Sequence, residues 1–216
     1  MKIKLNSQIE SDFPDLKVII FQIFDIRVKK EDEDLENFKD KVKDEIQQKF
    51  SLESLKDHPI FRAYRDFYWK LKIDPTKIRP AAEALTRRIL AGKGIPQINT
   101  LVDAYNLASI NSGIAIAAFD SEFLKGNLLM RFATKGERIL GIGMKRQFIL
   151  KGGEFVISDE EKLVAIYPYR DSDETKVTEK TRNLTIVICG VPGIPYETLK
   201  STSDLTKKYI MRFCSQ

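Results

Sequence analysis

The spacing of hydrophobic positions changes character along this chain. Val18-Ile19-Ile20-Phe21-Gln22-Ile23-Phe24-Asp25-Ile26 is β-branched and aromatic, which predicts a largely buried strand. Leu35, Phe38, Val42, Ile46 and Phe50 then recur at intervals of three and four, one apolar stripe on a charged helix. Asp32 and Asp34 sit near its start, where the helix dipole favours negative charge. A second helix runs from about Pro59 to Leu71 on Ile60, Phe61, Tyr64, Phe67, Tyr68 and Leu71. It stops before Asp74-Pro75, because proline disfavours helix in the residue it follows. Pro80 begins a third over Ala81 to Leu90, ended by Gly92, Gly94 and Pro96. A further helix covers about Gln97 to Ile110.

From Gly113 onward, short apolar runs alternate with turn residues. Ile114–Phe119, Leu128–Ala133, Phe148–Leu150, Phe155–Ile157, Leu163–Tyr167 and Leu184–Cys189 predict strands, with Gly126-Asn127, Lys135-Gly136 and Gly152-Gly153 between them. A helix over Thr198 to Phe213 closes the chain. A strand, helices, many strands and a helix make an α+β fold rather than an alternating parallel sheet. The expected organisation is a strand-helix segment over residues 1–57 packed on a core domain of residues 58–216.

Composition narrows the function classes. The 216 residues carry 36 Lys+Arg and 31 Asp+Glu, a formal charge of +5, and 43% are hydrophobic, as in an ordinary globular protein. Two cysteines, Cys189 and Cys214, make no disulfide framework. One histidine, His58, argues against a multi-histidine metal site or a histidine-driven nucleophile, and it reads as a cap or surface residue. MKIKLNSQIESDF lacks the apolar run of a signal peptide and Val18–Ile26 is too short to span a bilayer, so the expectation is a cytoplasmic protein without a membrane partner. Residues 1–57 hold 11 basic and 14 acidic side chains, a balance of −3, which leaves +8 for residues 58–216. That basic part suits a polyanion such as nucleic acid, or only a soluble surface.

Three groups of residues carry candidate chemistry. Projected on a helix, Asn99, Asp103 and Asn106 fall at about 0°, 40° and 340°, a narrow polar line. Short amides and acids are poorer helix formers than Lys, Glu or Gln, so a line of them suits hydrogen bonding to a ligand or loop better than a solvated face. The loop Tyr167–Thr175 collects hydroxyls, carboxylates and Arg170, with Ser172 and Thr175 as further polar groups for a ligand; a charged surface turn explains the same composition. Gly152-Gly153-Glu154 offers a backbone that turns tightly or approaches a ligand closely, although a hairpin explains the glycines equally well. Gly141-Ile142-Gly143 is no nucleotide fingerprint. Asp120 and Glu122 would suit a hard cation, but no acidic repeat supports one.

Taken together, Arg79 to Ile110 (RPAAEALTRRILAGKGIPQINTLVDAYNLASI), Ala117 to Glu137, Lys151 to Asp159 and Tyr167 to Asn183 resemble the editing module, domains B-three and B-four, of the phenylalanyl-tRNA synthetase β subunit and its free-standing relatives. The resemblance implies a three-layer β/β/α sandwich. In the synthetase this module hydrolyses tyrosine wrongly esterified to phenylalanine tRNA. For a free-standing copy it implies release of a wrong amino acid from the aminoacylated 3′ end of a tRNA in trans, with no cofactor and no metal. Asn99, Asp103, Asn106, Glu154 and Arg170 match recurrent polar positions of the free-standing relatives. The expected assignment is water held by Asn99, Asp103 and Asn106, an oxyanion met by N–H groups near Gly152 and Gly153, and the amino acid read by Glu154. Arg79, Arg87, Arg88 and Lys93 face the tRNA backbone in this reading, or form a solvated helix face. A non-catalytic tRNA-binding module and a pocket for a small amino-acid-like ligand are the alternatives.

Overall fold

A computed structural model describes residues 1–215. The chain begins with β1 (Ile3–Leu5), α1 (Ser7–Asp12), β2 (Ile19–Ile23) and α2 (Glu33–Lys49). Three helices follow: α3 (Pro59–Lys70), α4 (Ala81–Leu90) and α5 (Thr100–Ser112). The β-rich half holds β3 (Ala115–Asp120), β4 (Leu128–Phe132), β5 (Arg138–Ile139), β6 (Phe148–Ile149), β7 (Phe155–Ser158), β8 (Leu163–Ile166), β9 (Arg170–Asp171) and β10 (Leu184–Cys189). The last element is α6 (Tyr196–Cys214). Among the described residues no helix is long and apolar enough to cross a membrane.

The strands form a five-stranded sheet in the order β1-β4-β7-β8-β9 and a three-stranded sheet in the order β2-β10-β3; β5 and β6 make a separate hairpin. All pairings are antiparallel except β1 with β4. Helices α5 and α6 pack together and against the three-stranded sheet, and one hydrophobic core joins that sheet to the five-stranded one. The α+β class and the β/β/α layering are those expected. They also explain why every residue of β10 is buried: a central strand in the middle layer has no solvated face, so it loses the polar alternation of a surface sheet.

Residues 1–57 depart from a simple strand-helix segment. They supply two strands and two helices, and each strand completes the edge of a different sheet. The run Val18–Ile26 forms a half-buried edge strand rather than a largely buried one, since only one of its edges pairs. The strands β1, β5 and β9, two or three residues each, escape a sequence reading because alternation needs about four residues to be visible.

Two tyrosines anchor the end of β10. The Tyr64 hydroxyl donates to the Cys189 carbonyl and accepts from Ala115 N–H at 2.9 Å, while the Tyr167 hydroxyl donates to the Gly190 carbonyl. Burial pushes both phenols well up, so they stay neutral donors. Tyr167 also packs edge-on against Phe67 and, tilted, against Phe155. These contacts fix the start of β3, the end of β10 and the segment after β8, the three backbones that meet at the site.

A pocket between the sheet edges and a basic cleft beside it

A small pocket of about 90 Å³ lies where the outer edge of β3 approaches β8 and β9. Its walls are mostly apolar: Ala115, Ile116 and Ala117 from β3, Ala165 and Ile166 from β8, and Cys189 from β10. Ala81 at the start of α4, Tyr167, Pro168 and Tyr169 close it, and Asp171 is the one acidic group in the lining. The Tyr167–Pro168 peptide is cis.

The sequence reading did not single out Asp171. Burial pushes its carboxyl up to about 7, while the Ala118 N–H and the nearby Arg170 act in the opposite sense. Ala118 belongs to β3, the edge strand, so Asp171 sits where the edges of the two sheets approach each other. Part of its surface opens into the pocket. A carboxyl that is half-ionised near neutrality suits proton transfer better than an ordinary surface aspartate. Cys189 has its thiol pushed up by burial and then by Asp171, which makes it an apolar wall rather than a nucleophile.

Tyr169 also lines a second, larger cleft of about 1040 Å³. Phe13, Ile73, Ile78, Phe132 and Phe148 give this cleft apolar surface, and Lys70, Lys72, Lys77 and Lys151 face it. Asp12, Asp74 and Glu154 are its acids. Lys72 follows the C-terminus of α3 with φ +59°, a left-handed conformation that glycine adopts more cheaply. Relief of left-handed strain, about 1–2 kcal/mol, less glycine's greater unfolded-state entropy, about 0.4–1 kcal/mol, leaves Lys72→Gly expected to raise stability by about 0.5–1 kcal/mol, read as a small rise in melting temperature, and to weaken anion binding in the cleft. An unchanged or lowered melting temperature would show that the lysine is not strained.

The expected site residues are distributed differently from the sequence reading. Glu154, Gly152 and Gly153 do line the large cleft. The backbone N–H groups of Gly152 and Gly153 are not available to an oxyanion, however. Glu154 turns back on its own loop, accepting from Lys151 N–H at 2.8 Å and Gly152 N–H at 2.9 Å, and Gly153 N–H donates to Ala133 O at 2.9 Å. Both glycines have φ near +90°, which explains them as turn residues. Arg170 is exposed, and its Nη1 donates to Ile142 O at 3.3 Å. Ser172 and Thr175 are buried: Ser172 Oγ accepts from Glu174 N–H at 3.3 Å and Thr175 Oγ1 donates to Ser172 O at 3.5 Å, so they shape a turn.

Asn99, Asp103 and Asn106 do not form one polar line. Asn99 is the N-cap of α5, with an extended φ of −162°, and its side chain accepts from Val102 N–H at 2.9 Å; helical projection does not reach it. Asp103 is buried, bonded to Lys39 Nζ of α2 at 2.5 Å and to Ile98 N–H at 3.0 Å. Burial raises its carboxyl and Lys39 opposes the rise. Asn106 is half-buried. Of the expected basic contacts, Arg87 binds the buried Glu83 at 2.7 Å and Arg88 donates to Gly94 O at 3.0 Å, whereas Arg79 and Lys93 are exposed.

His58 holds the N-cap position of α3 but makes no capping bond. Its ring lies between Phe50 and Phe61, and its Nδ1 is buried without a partner among the described residues. Burial, then Lys49, pushes it down, so it is neutral near pH 7. Asp120 caps a turn at Glu122 N–H and accepts from Thr181 Oγ1 at 2.7 Å, which commits it to the fold. Among the described residues, no group of three or more His, Cys, Asp or Glu converges to hold a metal ion.

Comparison with known proteins gives the chain its relatives. The chain is 33% identical over 117 residues to the phenylalanine--tRNA ligase β subunit of Fusobacterium nucleatum, covering 54% of the chain and 14% of that protein. It is 34% identical over 100 residues to that of Thermotoga maritima, covering 46% and 13%. It thus spans only a small part of these relatives. A crystal structure of an N-terminal fragment of the phenylalanyl-tRNA synthetase β-subunit from Pyrococcus horikoshii shares the fold, with a TM-score of 0.50 and 12% identity over 98% of this chain and 48% of that one. The family described as B3/4 domain matches residues 63–213, which take in both walls of the pocket and most of the cleft, and the chain belongs to that family.

Proposed function

We propose that the protein hydrolyses the ester of a mischarged aminoacyl-tRNA in trans, without synthetase activity. The observation that carries this reading is the shared wall at Tyr169. It joins a small apolar pocket ending in an acidic group to a larger cleft faced by four lysines and three acids, in which, among the described residues, only Lys77 is paired with an acid, Asp74. An aminoacyl-tRNA 3′ end has the matching parts: a small amino-acid side chain on a polyanionic strand. The family's relatives named as phenylalanine--tRNA ligase subunits support a tRNA partner.

In this reading Asp171 takes the role first expected of Asn99, Asp103 and Asn106. Its carboxylate accepts a proton from water as the water oxygen bonds to the ester carbonyl carbon. The tetrahedral intermediate then breaks its bond to the ribose oxygen, and the proton returns to that oxygen. Free amino acid and tRNA with an intact 3′ end are the products. No protein nucleophile and no cofactor enter. The ester is already reactive, so positioning and one general base suffice.

A panel of mischarged tRNAs, assayed for release of the amino acid, tests the proposal and names the substrate. Release is expected for at least one pair, with kcat rising with pH through about 7 as Asp171 ionises. Binding of tRNA without release from any pair would replace the enzyme by a binding module. Binding of a free amino acid with no tRNA affinity at low salt would replace both by a small-ligand pocket.

A further inference from the structure

The exposed hairpin beside the cleft carries most of the chain's net charge. Residues 134–153 contain five basic side chains, Lys135, Arg138, Lys145, Arg146 and Lys151, against one acid, Glu137. That is +4 in twenty residues of a chain whose total is +5. All five are exposed, and among the described residues none of them makes an ion pair. Glu137 offsets none of them, because its carboxylate is bound to Arg131 at 2.6 Å. On α4, by contrast, Arg87 spends its charge on Glu83.

The hairpin is a fixed platform rather than a loose loop. Ile139 and Leu150 root it in a satellite core with Val156 and Ile166. Further out, Ile142 N–H donates to Asp171 O at 2.9 Å and Asp173 N–H to Leu140 O at 2.7 Å. Gly141 makes the close approach possible: a Cβ there would lie 2.6 Å from the Arg170 side chain. The arm is therefore bonded to the backbone of the residue that supplies the pocket's carboxyl. At its base, Phe148 is 39% exposed and faces the large cleft together with Lys151. An exposed aromatic ring set among unpaired cations is the combination that holds single-stranded nucleic acid, through base stacking and phosphate attraction.

We infer that the 134–153 hairpin is the docking surface for the unpaired end of an RNA, with Phe148 as a stacking platform and Arg138, Lys145 and Arg146 meeting phosphates. The inference rests on the tRNA reading above for its partner but not for its chemistry. Fluorescence anisotropy of the full chain with a deacylated tRNA, a short single-stranded RNA and the matching duplex, over a range of salt, tests it. Arg138→Gln/Lys145→Gln/Arg146→Gln is expected to weaken tRNA and single-strand binding at least tenfold and to lower the salt slope by about 2, three phosphates at roughly 0.7 each. Phe148→Ala is expected to weaken both by about tenfold, with little change in slope. Lys41→Gln/Lys200→Gln/Lys208→Gln, three exposed lysines on α2 and α6, is the comparison and is expected to change affinity less than threefold. Circular dichroism melting checks that each variant is folded. Wild-type binding that survives the hairpin substitutions with its slope intact overturns the inference and leaves the hydrolase reading standing. Duplex bound as tightly as single strand overturns the choice of an unpaired end. No binding of any RNA by wild type at low salt overturns the docking surface together with the tRNA partner. RNA bound through the hairpin, with no release of amino acid from any mischarged tRNA, supports the docking surface and removes the hydrolase reading alone.

Discussion

Asp171→Asn is expected to stabilise the protein and to remove its hydrolytic activity. In the folded chain the carboxyl is pushed from 3.8 up to about 7, with burial the main cause. Below pH 3.8 the group is protonated in folded and unfolded chains alike, and its full contribution to stability is present. As pH rises, the unfolded chain ionises first, so stability is lost progressively until the folded group ionises near 7. Above that pH the loss is constant, at most about 4 kcal/mol at 1.36 kcal/mol per pKa unit. Partial exposure of the carboxyl to the pocket lowers that figure. Asparagine keeps the shape but never ionises. Its stability advantage over wild type should therefore be small near pH 4, grow towards pH 7 and then level off. Chemical denaturation at pH 4.5, 6 and 8 measures this. In the same samples, release of amino acid from the preferred mischarged tRNA should fall about a hundredfold or more, the usual worth of a general base. A variant with unchanged activity would remove Asp171 from the chemistry. A variant less stable than wild type at pH 8 would show that the carboxylate is welcome where it sits.

The way Asp171 escaped the sequence reading shows where such reading stops. Helices α2 to α6 were legible because three- and four-residue spacing is local, and β10 was legible because an unbroken β-branched run has few homes other than a middle layer. Arg170, Ser172 and Thr175 were drawn from the right loop, but composition does not say which side chain faces a cavity. Asp171 owes its chemistry to β3, some fifty residues earlier in the chain, whose Ala118 N–H favours the ionised form and whose alanines line the same pocket. Gly152 and Gly153 looked equally fit for a turn or an oxyanion, and only the bonds their N–H groups donate to Glu154 and Ala133 decide for the turn. The basic charge was visible as a total, but its concentration on one hairpin becomes meaningful only when Ile142 is seen bonded to Asp171 of β9 and Leu140 to Asp173 just after it.

Asp103 is the second case, and its substitution should carry the largest loss of stability. The carboxylate and Lys39 Nζ are both almost fully buried, 2.5 Å apart. Removing one member of such a pair typically costs 3–5 kcal/mol, because the other charge is left without compensation. Lys39 keeps Glu36 at 2.7 Å, which places Asp103→Ala towards about 3 kcal/mol, a fall of roughly 6–12 °C in melting temperature for a chain of this size. Lys39→Met should behave differently with pH. It leaves a buried carboxyl that burial already raises, and without the lysine the rise is greater. That variant is least stable at high pH and regains stability as acid protonates Asp103, whereas Asp103→Ala shows no such recovery. The double variant Lys39→Met/Asp103→Leu should recover most of the loss, since apolar groups of similar volume often replace a buried ion pair at little cost. It also decides the role of Asp103. Activity restored with the fold assigns Asp103 to the scaffold that joins α2 to α5. A double variant that is folded, binds tRNA and releases no amino acid would return Asp103 to the catalytic site and take the general base away from Asp171.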